Sequence, residues 1–177
     1  MNRKIFFIAD THFYHKNVIK YDKRGFSDVY EMNKTIIDNW NKVVSDNDVV
    51  YILGDFIFGS VKQAMGVLNQ LKGRKHLIVG NHDNKILSDK NFRSYFESIN
   101  DYKEIYIDKR KVILFHYPIA DWCGMFNGSL HLYGHVHTNG TQYKMNKNSY
   151  NVGAGVIGFT PRTLNELIEM NKEKENE

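Results

Sequence analysis

Leu77-Ile78-Val79-Gly80-Asn81-His82-Asp83 is the stretch that decides the fold. Three apolar residues of strand type run into a glycine, and an amide, an imidazole and a carboxylate follow at once. A short apolar run ending in turn residues reads as a buried strand, and Gly80 marks a turn where backbone comes close to another group. Polar side chains just past the end of a strand stand where open α/β sheets keep their active sites. A polar loop that happens to carry one histidine is the plain alternative. The segments on either side decide between the two.

Upstream, Lys4-Ile5-Phe6-Phe7-Ile8 reads as a first buried strand ending at Asp10-Thr11-His12, and a short helical pattern follows from His15 to Tyr21. From Ser27 or Asp28 as N-cap, Val29, Met32, Ile36, Trp40, Val43 and Val44 recur at helical spacing up to the break at Asp46-Asn47-Asp48. Val49 to Leu53 is a second buried strand, ending at Gly54-Asp55. Val61, Ala64, Met65, Leu68 and Leu71 predict a second helix closed by Gly73 as C-cap, and His76 to Val79 is the third strand. Alternation of strand and helix predicts parallel strands with helices on the sheet faces.

Downstream, Glu104–Ile107 and Lys111–Phe115 predict two strands joined by a tight turn at Asp108-Lys109-Arg110, the second ending at His116. Residues 119–128 read as irregular. His131-Leu132-Tyr133 is a short strand ending at Gly134-His135-Val136-His137, and Tyr150–Gly153 is the last strand. Thr160-Pro161 opens a terminal helix with Leu164, Leu167, Ile168 and Met170 on its buried face.

The chain of 177 residues holds one core, taken as a single domain over residues 1–171 with a charged tail over 172–177. The one cysteine, Cys123, excludes a disulfide framework and predicts a reducing, cytoplasmic setting. The basic, apolar start resembles a signal peptide, but its run before Asp10 falls short of the roughly 7–15 residues a signal core needs. No segment approaches the roughly 18 apolar residues of a membrane span. A net charge of +4 suits a phosphate-bearing partner, although the basic residues are scattered.

Five predicted strands thus end in polar clusters: Asp10 and His12; Asp55; Asn81 and His82; His116; His135 and His137. Imidazole, carboxylate and amide groups on loops at one sheet edge can converge on metal, and this set is rich enough for two ions. Such donors suit manganese, iron, zinc or nickel rather than a thiolate zinc site. Asp-x-His alone is nearly worthless, but Gly-Asn-His-Asp is expected by chance in only about four chains in a thousand of this composition.

In this order, Asp10-x-His12, Gly54-Asp55, Gly80-Asn81-His82-Asp83, His116 and Gly134-His135-x-His137 resemble the motifs of the calcineurin-like metallophosphoesterases. The resemblance covers residues 4–153. Asn151-Val152-Gly153, with Pro161 and Leu164-x-x-Leu167 beyond it, is similar to small bacterial and phage members. It implies an α/β fold of four layers, an αββα sandwich of two mixed sheets flanked by helices, with a binuclear metal site at the strand ends. Residue by residue it implies that Asp10, His12, Asp55 and His137 hold a first divalent ion. Asp55 would bridge, and Asn81, His116 and His135 would complete the second, with manganese as first choice. His82 matches the histidine that contacts the scissile phosphate and protonates the leaving oxygen. Two ions a few ångströms apart would make hydroxide available between them for in-line attack on phosphorus.

One departure bears on substrate. The protein-phosphatase branch carries a further Asp three residues after the Gly-Asp aspartate, whereas here the segment is Gly54-Asp55-Phe56-Ile57-Phe58-Gly59. Ser/Thr protein phosphatase activity is therefore not expected, and the partner of His82 is left open, Asp83 being one candidate. Asn81, His82, His15 and Arg24 are candidate substrate contacts; for His15 and Arg24 the alternative is an ordinary surface role. His76 and His131 read as structural. Tyr117, Trp122, Phe126 and Tyr133 suit either a base-stacking wall or core packing.

The expected function is a metal-dependent phosphodiesterase acting on a nucleotide-type diester or nucleic-acid end. A phosphomonoesterase acting on a small metabolite, a minimal nuclease and a non-catalytic scaffold on the same fold are the alternatives.

Overall fold

Four strands lie parallel because a helical segment returns the chain to the same starting edge after each of the first three. In the computed structural model, which describes residues 3–138 and 145–175, these are β1 (Ile5–Ile8), β2 (Val49–Ile52), β3 (Arg74–Ile78) and β4 (Phe96–Asn100), in the order β4-β3-β2-β1. The connections carry α1 (Val18–Tyr21), α2 (Val29–Val43), α3 (Val61–Leu68) and α4 (Lys90–Arg93). Every crossover steps the same way along the sheet, so right-handed connections put the helices on one face and leave the other free for a second layer.

That layer is a sheet of β5 (Tyr102–Ile107), β6 (Arg110–Phe115), β7 (Leu130–Tyr133) and β8 (Ser149–Asn151), in sequence order. β5 and β6 are antiparallel, and the other pairs are parallel. Asp108 and Lys109 both take positive φ, +48° and +67°, the handedness that a two-residue hairpin turn requires. β6 is apolar on both faces: Val112 and Leu114 join the main core, while Ile113 packs with Trp122 and Met125 on the other side. The two mixed sheets and flanking helices implied by the family resemblance are therefore present. The cover over Ile113 comes from the irregular 119–128 segment and its 3-10 turn Met125–Asn127.

Local chemistry sets the helix ends. Asp28 accepts the amides of Tyr30 and Glu31 at 2.8 Å each, while Glu31 reaches back to the Ser27 amide at 2.7 Å. Met32, Ile36 and Trp40, four residues apart, form the fully buried stripe of α2, and the Trp40 indole donates to the Lys72 carbonyl at 3.0 Å. α3 starts at a Ser60–Gln63 capping box but ends at Leu68, five residues before Gly73. Gly73, with φ +84°, serves the turn into β3 and is not the helix cap expected from sequence.

Two strands were not foreseen. β4 forms one edge of the first sheet, and β9 (Arg162–Thr163) lies antiparallel to β1 at the other. β9 leads into α5 (Leu164–Glu175), whose start is fixed by Thr163 and Glu166 in reciprocal hydrogen bonds rather than by Thr160-Pro161. α5 runs through residues 172–175 of the expected tail; 176 and 177 lie outside the described residues.

The sheets are joined where the site lies. Beyond β1, the Ala9 amide donates to the Val152 carbonyl and the Ala154 amide donates to Ala9, both at 2.8 Å, so the end of β1 bridges to the chain leaving β8. At the opposite end, buried Asp48 accepts the Lys4 amide and the Ser45 amide at 2.8 Å and the Ser45 hydroxyl at 2.6 Å, gathering the starts of β1 and β2.

Burial acts to raise the Asp48 carboxyl, but these hydrogen bonds outweigh it and hold it below its ordinary 3.8. A depressed folded pKa adds stability above the unfolded value, and that stability is lost as pH falls through the folded one. Asp48→Asn is therefore expected to lower the melting temperature most at neutral pH. The gap from wild type should close as pH falls below the ordinary carboxylate range, and a gap constant down to acid pH would assign the loss to shape alone.

Candidate metal centre

All five predicted clusters arrive at one edge of the sandwich. The loop after β1 lies on the loop after β2, with Asp10 donating its amide to Gly54 and His12 to Asp55, each at 3.0 Å. Asp10 Oδ2 accepts the His135 amide at 2.9 Å, which ties the first sheet to the end of β7. His12 Nε2 and His137 Nε2 face each other at 3.2 Å. Asn81 Oδ1 stands 3.0 Å from His116 Nε2 and 3.0 Å from His135 Nδ1. Between the two groups, Asp55 Oδ2 is 3.7 Å from His12 Nε2 and 3.7 Å from His116 Nε2. Ligand atoms of Asp10, His12 and His137, and of Asp10, Asp55 and His116, lie within 4.8 Å of one another.

The backbone is strained where these side chains are aimed. Asp10, His12, Asp55, His135 and His137 all have positive φ, between +47° and +69°. Such conformations cost of order 1–3 kcal/mol each and persist where the surroundings impose them. Close approach imposes them here. A Cβ on Gly54 would strike the His116 ring and the Gly80 backbone, and one on Gly80 would strike the Asp55 carboxylate. That is the physical meaning of the two Gly-polar pairs in the sequence.

Several site residues act by holding others. Asp83, fully buried, accepts the amides of Gly80 (2.8 Å), Asp55 (2.9 Å) and Phe56 (3.0 Å), locking the loop after β3 onto the loop after β2. It does not orient His82, whose nearest carboxylate oxygen is Asp55 Oδ2 at 3.9 Å. Arg24 is also buried and turned inward. It donates to the carbonyls of Asp10 (2.7 Å) and Thr11 (3.1 Å) and to Asp22 (2.9 Å), so the substrate contact expected of it gives way to support of the β1 loop. Asp22, which no motif flagged, accepts from His137 Nδ1 at 3.2 Å and from the Thr138 amide and hydroxyl. Its only sequence signal was an acidic residue close to Arg24. Asn151 donates to the His137 carbonyl at 2.9 Å.

These contacts fix tautomers. His116 Nδ1 donates to the Leu53 carbonyl at 2.8 Å and His137 Nδ1 to Asp22, which leaves each Nε2 lone pair facing inward as a donor for metal. Burial holds His12, His116 and His135 on the neutral, ligating side of their ordinary range. Burial opposes charge on His137 as well, but Asp22 outweighs it and raises that group. Asp10 is pushed up to about 7, first by burial and then by Asp55, and its Oδ1 is buried with no protein partner. A buried carboxylate oxygen with no protein partner, in a cluster whose His12, His116 and His135 are held neutral by burial, fits a divalent cation.

Around the rim, His82 is 44% exposed, and the His15 ring lies 5.3 Å from that of His12. Tyr117 packs its ring 4.6 Å from His135; Trp122 and Tyr133 are buried, and Phe126 projects into solvent. His76, stacked on Tyr51 at 4.8 Å, and fully buried His131, stacked on Tyr133 at 5.4 Å, are structural.

Residues 4–165 match the calcineurin-like phosphoesterase superfamily domain. The chain belongs to that superfamily. This phosphoesterase is a metal-dependent hydrolase of phosphoric esters. It is 39% identical over 176 residues to the uncharacterized protein MJ1445 of Methanocaldococcus jannaschii, covering 95% of this chain and 91% of the relative. The solved structure of AQ665, a protein of unknown function from Aquifex aeolicus, superposes with a TM-score of 0.75 at 28% identity, covering 96% of this chain and all of the other. A novel archaeal phosphodiesterase shares the fold, with a TM-score of 0.50 at 18% identity over 86% of this chain and 83% of that one. No helix among the described residues is long and apolar enough to cross a membrane.

Asp22→Asn removes the charge behind the His137 ring. Calorimetric titration with Mn2+ is expected to show affinity lowered about ten- to hundred-fold while circular dichroism stays unchanged. Unchanged affinity would mean that His137 is oriented by other contacts.

Proposed function

We propose that this phosphoesterase is a binuclear phosphodiesterase. The carrying observation is the position of Asp55 Oδ2, 3.7 Å from an imidazole nitrogen of each group. One carboxylate oxygen central to two donor sets suits a bridge between two cations. On this reading Asp10, His12, Asp55 and His137 hold one ion, and Asp55, Asn81, His116 and His135 hold the other. Nitrogen and oxygen donors without thiolate favour manganese, with iron, zinc or nickel as substitutes. When bound, such ions polarise phosphate oxygens and activate water for in-line displacement at phosphorus.

The chain's own residues supply the rest. Asp55 Oδ1 accepts the His82 amide at 2.9 Å, which holds the exposed His82 imidazole over the centre. There it donates a hydrogen bond to the phosphate and a proton to the leaving alcohol. Asn81 and His15 border the place the ester occupies. The inward turn of Arg24 supports the diester preference, because a monoester dianion carries extra charge that calls for a free cation beside the phosphate. Nucleotide-type diesters and nucleic-acid ends are the substrates in view, and the single cysteine suits a cytoplasmic setting.

The test uses Mn-loaded protein on bis-p-nitrophenyl phosphate and p-nitrophenyl phosphate. The diester is expected to have the larger kcat/KM, and the reverse order would sink the diester preference. Asp55→Ala is expected to lose about a hundred-fold or more, and undiminished turnover would remove the bridge. His82→Ala should cost about a hundred-fold on diesters with a nucleoside leaving group. It should cost far less on p-nitrophenyl esters, whose alcohol departs without a proton. Equal losses on both would deny His82 its role as acid.

A further inference from the structure

Beside the metal centre runs a groove of about 640 Å3 that the hydrolytic chemistry does not use. His82 lines it, so it begins at the side chain assigned to the leaving alcohol, and its other lining residues lie outside the metal-type donor set. Buried Ile57 and Ile86 contribute its apolar wall. Phe58 stands in it 53% exposed, an unusual position for a phenylalanine beside a polar site. Its ring is held from two sides, tilted on His15 at 4.3 Å and edge-on to His82 at 5.5 Å. Lys85 lines the same groove, and no acidic group pairs with it among the described residues.

We propose that this groove is the leaving-group subsite and seats the departing half of the ester, a nucleoside whose base stacks on Phe58. The assignment rests on the phosphodiesterase reading above. Three observations select this occupant. Continuity through His82 restricts the groove to the alcohol that receives the proton. An aromatic face offered to solvent and braced by two imidazoles matches a flat ring system, since every base has a stacking face. Lys85, with no acidic partner among the described residues, disfavours a cationic occupant and leaves a neutral nucleoside acceptable. Phe58 stands in the Gly54–Gly59 segment where the protein-phosphatase pattern departs, so the change that removes an acidic partner for His82 also supplies the platform.

The experiment compares wild type, Phe58→Ala and Phe58→Tyr with the dinucleotide TpT, with inorganic phosphate as inhibitor. Phe58 is exposed, so both variants are expected to fold. Phe58→Ala should raise KM for TpT about ten-fold, and Phe58→Tyr should restore it. The inhibition constant of phosphate, which reaches only the metal centre, should stay the same. An unchanged KM overturns the subsite, and so does equal weakening of TpT and phosphate, which would make Phe58 a support for His15 and His82. If wild type hydrolyses no diester with any divalent ion, the phosphodiesterase reading itself fails. The groove is then judged separately by titrating thymidine into the protein and following the Phe58 ring resonances. Saturable shifts support it, and their absence overturns it.

Discussion

A single buried carboxylate holds the centre together. Asp83 gathers three amides, from Gly80, Asp55 and Phe56, into one place and so fixes the loop after β3 against the loop after β2. Burial and the nearby Asp55 charge push its carboxyl up to about 6, while the amides act the other way. Removing the acceptor would leave buried donors without partners at about 1–3 kcal/mol each. The central oxygen of Asp55, the backbone of His82 and the carbonyl of Asn81 all take their positions from this contact. The opposite wall is set by Arg24 and Asp22, which hold the Asp10 loop from behind and fix the ring of His137.

The site is thus built in two shells with different demands. The inner groups bring imidazole, carboxylate and amide donors within 3.0 to 3.7 Å of one another, and five of them sit on left-handed backbone. The outer groups are saturated: Asp83 accepts three backbone amides, Arg24 donates to two backbone carbonyls and to Asp22, and Asp22 also accepts from His137 and Thr138. Strain in the first shell persists because the second leaves it no room to relax.

Much of this was legible in the sequence. The five strand-end clusters could be read because each joined a short apolar run to metal-type donors, and the fold carried all five to one edge. β4 was missed because its residues Phe96-Glu97-Ser98-Ile99-Asn100 lie at a sheet edge, half wet and without a hydrophobic run. β9 is two polar residues after a proline and owes its existence to the open side of β1. Arg24 and Asp83 were visible but not their direction, since nothing local distinguishes a side chain turned inward from one that meets substrate. Asp22 offered only its nearness to Arg24, as its partner His137 is brought to it by the joining of the two sheets.

The short β9 has a consequence for how the molecule forms. β1 carries Asp10 and His12 just beyond its end, yet its outer edge is covered only when Arg162–Thr163 returns from the far part of the chain. Until then the strand is an exposed template for pairing with other chains. Its closure is among the most non-local in the fold, of the kind that slows folding because chain entropy is lost before any contact compensates.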